Sequence, residues 1–126
     1  MEAPPSDGGG DTLVQYILVR SDLDKARYNR GALVAQGAHA AVAAIEQSRS
    51  LPTTVAYLAD LDAMHKIVLA APSEADIARV AAALAAASVA HRTWLEQPER
   101  VVTALATAPH KRSVLTAFFA GLKLLR

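Results

Sequence analysis

Arg30-Gly-Ala-Leu-Val-Ala-Gln-Gly-Ala-His-Ala-Ala-Val-Ala-Ala-Ile45 has the composition of a helix that can lie close to whatever it packs on. Gly31 marks the point where a loop turns into a helix, and the alanine-rich sequence from Ala32 has high intrinsic helix propensity. Val34, Ala38, Ala41, Val42 and Ile45 recur at helical spacing, which predicts an apolar, small-residue face against a sheet. Gln36 lies off that stripe and His39 at its flank, so these two carry the polar chemistry that could face a site. The helix start adds free backbone N–H groups suited to an anion. By composition alone, an ordinary packed helix with a flanking histidine is the simpler reading, because short patterns carry little functional weight.

Working outward, Leu13-Val-Gln-Tyr-Ile-Leu-Val19 is a nearly continuous apolar run of strand length, which predicts a central strand buried on both faces. It ends in a polar loop, Arg20 to Arg30, dense in basic residues. At the far end of the helix, Ser48 to Pro52 form a break, and Thr53–Leu61 reads as a second short helix. Lys66–Ala71 reads as a strand ended by Pro72, with Ser73 and Asp76 forming a capping-box pattern before a helix over Ala75–Ala87. Val89–Glu96 and Val101–Ala106 read as two further strands. Their connection is too short for a helical crossover, so they are expected to be antiparallel neighbours in a mixed sheet. A last helix is expected over Lys111–Ala120, closed by Gly121; the pattern assigns nothing to Leu122–Leu125.

A length of 126 residues fits one domain. Residues 1–11, with Pro4-Pro5 and Gly8-Gly9-Gly10, are expected to be a flexible tail, and residues 12–126 the domain. Apolar residues make up 52% but aromatics only 5%, so close backbone packing must replace bulky anchors. The net charge of +1 means that any nucleic-acid contact rests on a local patch. With no cysteine there is no thiol nucleophile or disulfide, which fits a reducing compartment, and a cytoplasmic location is expected. The histidines at 39, 65, 91 and 110 lack metal-ligand spacing, and no metal is expected. The apolar runs stop short of the ~18–20 residues of a membrane helix. There is neither a Gly-x-Gly-x-x-Gly turn nor a P-loop, which disfavours a nucleotide-dependent enzyme.

A β-run ending in Arg20-Ser-Asp-Leu23, followed by Gly31-x-x-x-Ala-Gln36-x-x-His39-Ala-Ala-Val42, resembles the type 2 peptidyl-tRNA hydrolases. The likeness runs from about Leu13 to Leu125, and Trp94-Leu-Glu-Gln-Pro-Glu99 is similar to the divergent peptidyl-tRNA hydrolase domain-containing branch. The resemblance implies an α/β fold of three layers, α/β/α, with a four-stranded mixed sheet and no cofactor. It implies hydrolysis of the ester joining a peptide to the 3′ end of tRNA, which calls for an activated water, oxyanion donors and cations for phosphates. Carried over residue by residue, it points to Glu96, Thr103, His39 and Gln36 as catalytic, with Thr103 or helix N–H groups as oxyanion donors. Arg20, Lys25, Arg27, Arg30 and Arg100 would bind tRNA. The family motif has a lysine after the opening glycine, and this chain has Ala32; the threonine expected four residues after the acidic position falls on Arg100.

Each of these residues also has a plain structural reading. Glu96 could be a solvated strand-end carboxylate, His39 a residue that fixes the helix, Thr103 strand filler, and the arginines loop charges. Trp94 reads as core, although at an exposed edge it could stack a base. Two functions follow: a hydrolase acting on peptidyl-tRNA, or a catalytically impaired relative, a pseudoenzyme, that binds tRNA or a protein partner without turnover. The chain is expected to be a monomer or homodimer.

Overall fold

In the computed structural model, which describes residues 11–126, the first apolar run becomes β1 (Leu13–Arg20) and occupies the middle of the sheet. It pairs in parallel with β2 (Lys66–Ala71) and antiparallel with β4 (Val101–Thr107). β4 in turn pairs antiparallel with β3 (His91–Glu96), giving the order β2-β1-β4-β3. A two-residue β5 (His110–Lys111) pairs with the start of β1 and makes a fifth strand. α1 (Arg30–Gln47) packs on one face and α3 (Glu74–Ala86) on the other, so the α/β/α arrangement with a mixed sheet is present, enlarged by β5. Of the expected tail, residues 1–10 lie outside the described residues. Asp11 accepts a 2.6 Å hydrogen bond from Ser113 Oγ.

Alternation along β1 sorts the core into two layers. Val14, Tyr16 and Leu18 join Ile77, Val80 and Leu84 of α3, together with Leu115 and Phe119. Ile17 and Val19 face α1 and meet Ala40, Ala41, Ala44, Ala104 and Ala106. The α1 layer is thus built almost entirely of alanine, which brings helix and sheet backbones close together. A Cβ on Gly37 would sit 3.4 Å from Ile17 Cγ2 and 3.5 Å from Val19 Cγ2.

This closeness overturns the expected face of α1. Its buried residues are Gln36, Gly37, Ala40, Ala41 and Ala44, whereas Val34 and Val42 are 68% and 67% exposed. The buried face lies roughly a third of a turn from the valine stripe at 100° per residue. Hydropathy favours valine, but the available space admits only glycine and alanine.

Other boundaries move for local reasons. α2 spans only Pro52–Leu58, and Leu61–Ala63 form a separate 3-10 turn. β3 starts at His91 because Val89 is used to close α3. The Ser88 and Val89 N–H groups return to the Ala85 and Leu84 carbonyls, with Ser88 left-handed at φ 58°, a Schellman closure. The expected helix Lys111–Ala120 is broken: after β5, α4 is one turn (Arg112–Leu115) and Thr116–Phe119 are 3-10. Stacking of Phe119 on Tyr16, 4.4 Å between centroids, and a bond from Arg112 N to Thr12 O anchor this segment to β1. Gly121, at φ 85°, then turns the chain onto the outer edge of β2. There Ala70 N donates to Lys123 O and Leu125 N donates to Val68 O, which covers an otherwise open strand edge.

Candidate active site

The polar residues singled out in the sequence collect where β1 ends, β4 begins and α1 starts. Asn29 caps α1, its Oδ1 accepting from Ala32 N at 3.0 Å. The preceding loop is folded by Asp24, whose carboxylate accepts from Ala26 N and whose carbonyl accepts from Arg27 N and Tyr28 N.

At the centre, Thr103 Oγ1 donates to Gln36 Oε1 at 2.7 Å, joining β4 to α1. Thr103 has no exposed surface and Gln36 only 3%. A β-bulge creates this contact. The β3–β4 register shifts between Trp94, opposite Ala104, and Leu95, opposite Val102, leaving Thr103 as the extra residue. Regular alternation would turn Thr103 to the same face as Leu105, which packs in the α3 layer. The bulge turns it to the α1 layer, beside Ala104. The hydroxyl proton is committed to Gln36 Oε1, and the amide Nε2 makes no hydrogen bond among the described residues.

Around this pair, α1 and β3 meet through His39 and Trp94, whose rings stack at 4.8 Å and 21°. The Trp94 indole N–H donates to Glu96 Oε1 at 3.0 Å. This fixes a half-exposed carboxylate whose Oε2 has no protein donor among the described residues. Such an oxygen can accept a water and then its proton.

The basic residues divide into two groups. The Arg20 guanidinium is spanned by Asp22 (2.9 and 3.0 Å), donates to Val102 O at 3.0 Å and lies 3.5 Å from Glu74. The hydrogen bond with Asp22 raises the Arg20 pKa and lowers that of Asp22. Arg20 therefore ties the loop to β4. Arg27 pairs with Glu99 at 2.8 Å, and Tyr28 Oη donates to the same oxygen at 3.3 Å. The Glu99 carboxyl is held below its ordinary range, first by its own backbone N–H and then by Arg27. Tyr28 is raised, first by burial and then by Glu99, with Glu96 adding to the effect. Lys25 and Arg30, by contrast, line an open groove of about 420 Å³ together with Arg126. Arg100 stands exposed in the β3–β4 turn at φ 62°, its N–H bonded to Glu96 O at 2.7 Å. None of these four cations has an ion-pair partner among the described residues.

The structure therefore joins Gln36 to Thr103 directly, and His39 to Glu96 through Trp94. It engages Arg20 and Arg27 with carboxylates and leaves Lys25, Arg30 and Arg100 open. Tyr28, Glu99 and Arg126 were not anticipated. A tyrosine isolated in a charged loop was the one visible signal, since a buried aromatic there needs a partner. No group of three or more metal-ligating side chains occurs among the described residues. A larger groove, about 820 Å³, lies at the other end of β3 and β4 between Leu51, Val89, Pro109 and Val114; its lining includes His91 and His110 but no carboxylate.

The family model described as peptidyl-tRNA hydrolase PTH2 matches residues 13–125. The chain is 40% identical over 116 residues to the human protein named "Putative peptidyl-tRNA hydrolase PTRHD1", covering 90% of this chain and 83% of that protein. The mouse protein of the same name is 39% identical over the same length and coverage.

Proposed function

This chain belongs to the PTH2 peptidyl-tRNA hydrolase family, and from that premise we propose that it hydrolyses the ester between a peptide and the 3′ end of tRNA. The observation that carries the proposal is Glu96, a half-exposed carboxylate held by the Trp94 indole at 3.0 Å with its second oxygen open. Glu96 takes a proton from water as the oxygen attacks the ester carbonyl. The bond between the acyl carbon and the 3′-oxygen then breaks, and the 3′-oxygen leaves with the proton that Glu96 returns. Gln36 donates its amide N–H to the oxyanion, and Thr103 holds that amide in place. Thr103 thus acts as a positioning residue. Lys25, Arg30, Arg100 and Arg126 hold phosphates, while Arg20 and Arg27 shape the loop. No described helix is long and apolar enough to cross a membrane, and we place the activity in the cytoplasm, where translation supplies the substrate.

One feature favours a second reading, in which the protein binds tRNA without turnover: Ala32 stands where the family motif carries lysine. Release of tRNA from a defined peptidyl-tRNA by purified protein decides between the two. The hydrolase reading expects release that falls by a factor of about 100 or more in Glu96→Gln, with tRNA affinity within about twofold. Salt-sensitive tRNA binding with no release, gained only in Ala32→Lys, would establish the binding module instead.

A further inference from the structure

The His39–Trp94 stack has a role that ester hydrolysis alone does not require. Trp94 lies on the edge strand β3 and is packed against the alanine layer, so part of its ring belongs to the core. One ring face carries His39, and the Arg92 guanidinium lies 5.9 Å from the ring centroid. His39 itself is exposed. With one imidazole face on the indole, the other is a flat, solvent-facing π surface held rigidly at the end of a stack. The same indole fixes Glu96 through its N–H. A planar group stacked on His39 is thereby placed on the same Trp94 side chain that fixes the carboxylate activating the attacking water.

We propose that the outer face of His39 is a stacking subsite for one unpaired nucleobase, the 3′-terminal adenine of the nucleoside that bears the ester. The inference rests on the peptidyl-tRNA reading and adds to it. Cations hold the phosphates, Glu96 supplies the base, and the imidazole sets where the last nucleoside lies. Stacking tolerates any base, but only a single-stranded end presents a free face. The subsite therefore selects for an unpaired 3′ terminus over a duplex one.

The test uses the full chain and two 5′-labelled, uncharged tRNAs, one intact and one lacking only its 3′-terminal nucleoside. Anisotropy gives affinity, and emission from Trp94, the only tryptophan in the sequence, reports on the stack. Intact tRNA is expected to bind about tenfold tighter than the trimmed form, the effect of one stacked base, and to be the only one that quenches Trp94. His39→Ala should weaken intact tRNA by about the same tenfold and leave trimmed tRNA unaffected, while His39→Phe retains the preference. Equal affinity of wild type for both tRNAs, or a His39→Ala loss that is the same for both, overturns the subsite. If tRNA binds in that case and Glu96→Gln still abolishes release, the hydrolase reading stands without it. If neither tRNA binds, both ideas fall together.

Discussion

Replacing Thr103 by valine removes one oxygen and nothing else of consequence to the shape of β4, yet it should be costly. Gln36 Oε1, in a residue 3% exposed, accepts from Thr103 and from no other group among the described residues. Left unpaired, it is expected to cost about 1–3 kcal/mol. Gln36→Met leaves the buried hydroxyl of Thr103 without its acceptor, at about 1 kcal/mol. Joining the two substitutions replaces both polar partners with apolar groups of similar shape. The double variant should return to within about 1 kcal/mol of wild type, a coupling of about 1–4 kcal/mol. Urea unfolding at unchanged slope measures all four corners of the cycle. Release of tRNA gives the second readout: the stable double variant lacks the oxyanion donor and should be slower by a factor of about 100. Additive single effects would refute the pairing, and a double variant with wild-type turnover would refute the role of Gln36.

Gly37 sits over Ile17 and Val19 with room for one methyl. Gly37→Ala should therefore hold or raise the unfolding midpoint, helix propensity contributing up to about 1 kcal/mol, whereas Gly37→Leu should lose about 1–3 kcal/mol by overpacking. Arg100 occupies a left-handed conformation at φ 62°; Arg100→Gly should stabilise the fold by about 1 kcal/mol while lowering the salt slope of tRNA binding by about one. Its retention of strain would then mark a functional cation, and an unchanged slope would remove Arg100 from the phosphate site. The Glu99 carboxyl has its folded-state pKa below the ordinary 4.5, so its stabilisation is present above that value and is lost as pH falls through the folded one. The midpoint difference between wild type and Glu99→Gln should be constant near neutrality and shrink below about pH 4.5; a difference that grows on acidification would contradict the Arg27 pairing.

Much of the fold was legible because local and global signals agree. The unbroken apolarity of Leu13–Val19 marked a central strand, Ser73 and Asp76 capped α3 as their spacing implied, and the short link after Glu96 required antiparallel neighbours. The face of α1 was misread because hydropathy weighs valine above alanine, while the decisive quantity was the distance to β1. The candidate site was half legible. Gln36, Thr103 and Glu96 could be named as residues, but the bulge that aims Thr103 at Gln36 leaves no mark in composition. Nor could the pairing of Arg27 with Glu99 be read from either segment, since each looks like an ordinary solvated loop and only the sheet brings them together.

Three of the bonds that shape the site join distant parts of the chain: Thr103 to Gln36 across 67 residues, Arg27 to Glu99 across 72, Arg20 to Val102 across 82. Loops of that length close late, after the helices and nearer contacts have formed. A molecule with β1, β2 and α3 in place would already show helical signal and a partial core while Gln36 still lacked its partner. Recovery of function on refolding should therefore lag recovery of helicity, which makes turnover a stricter measure of complete folding than secondary structure.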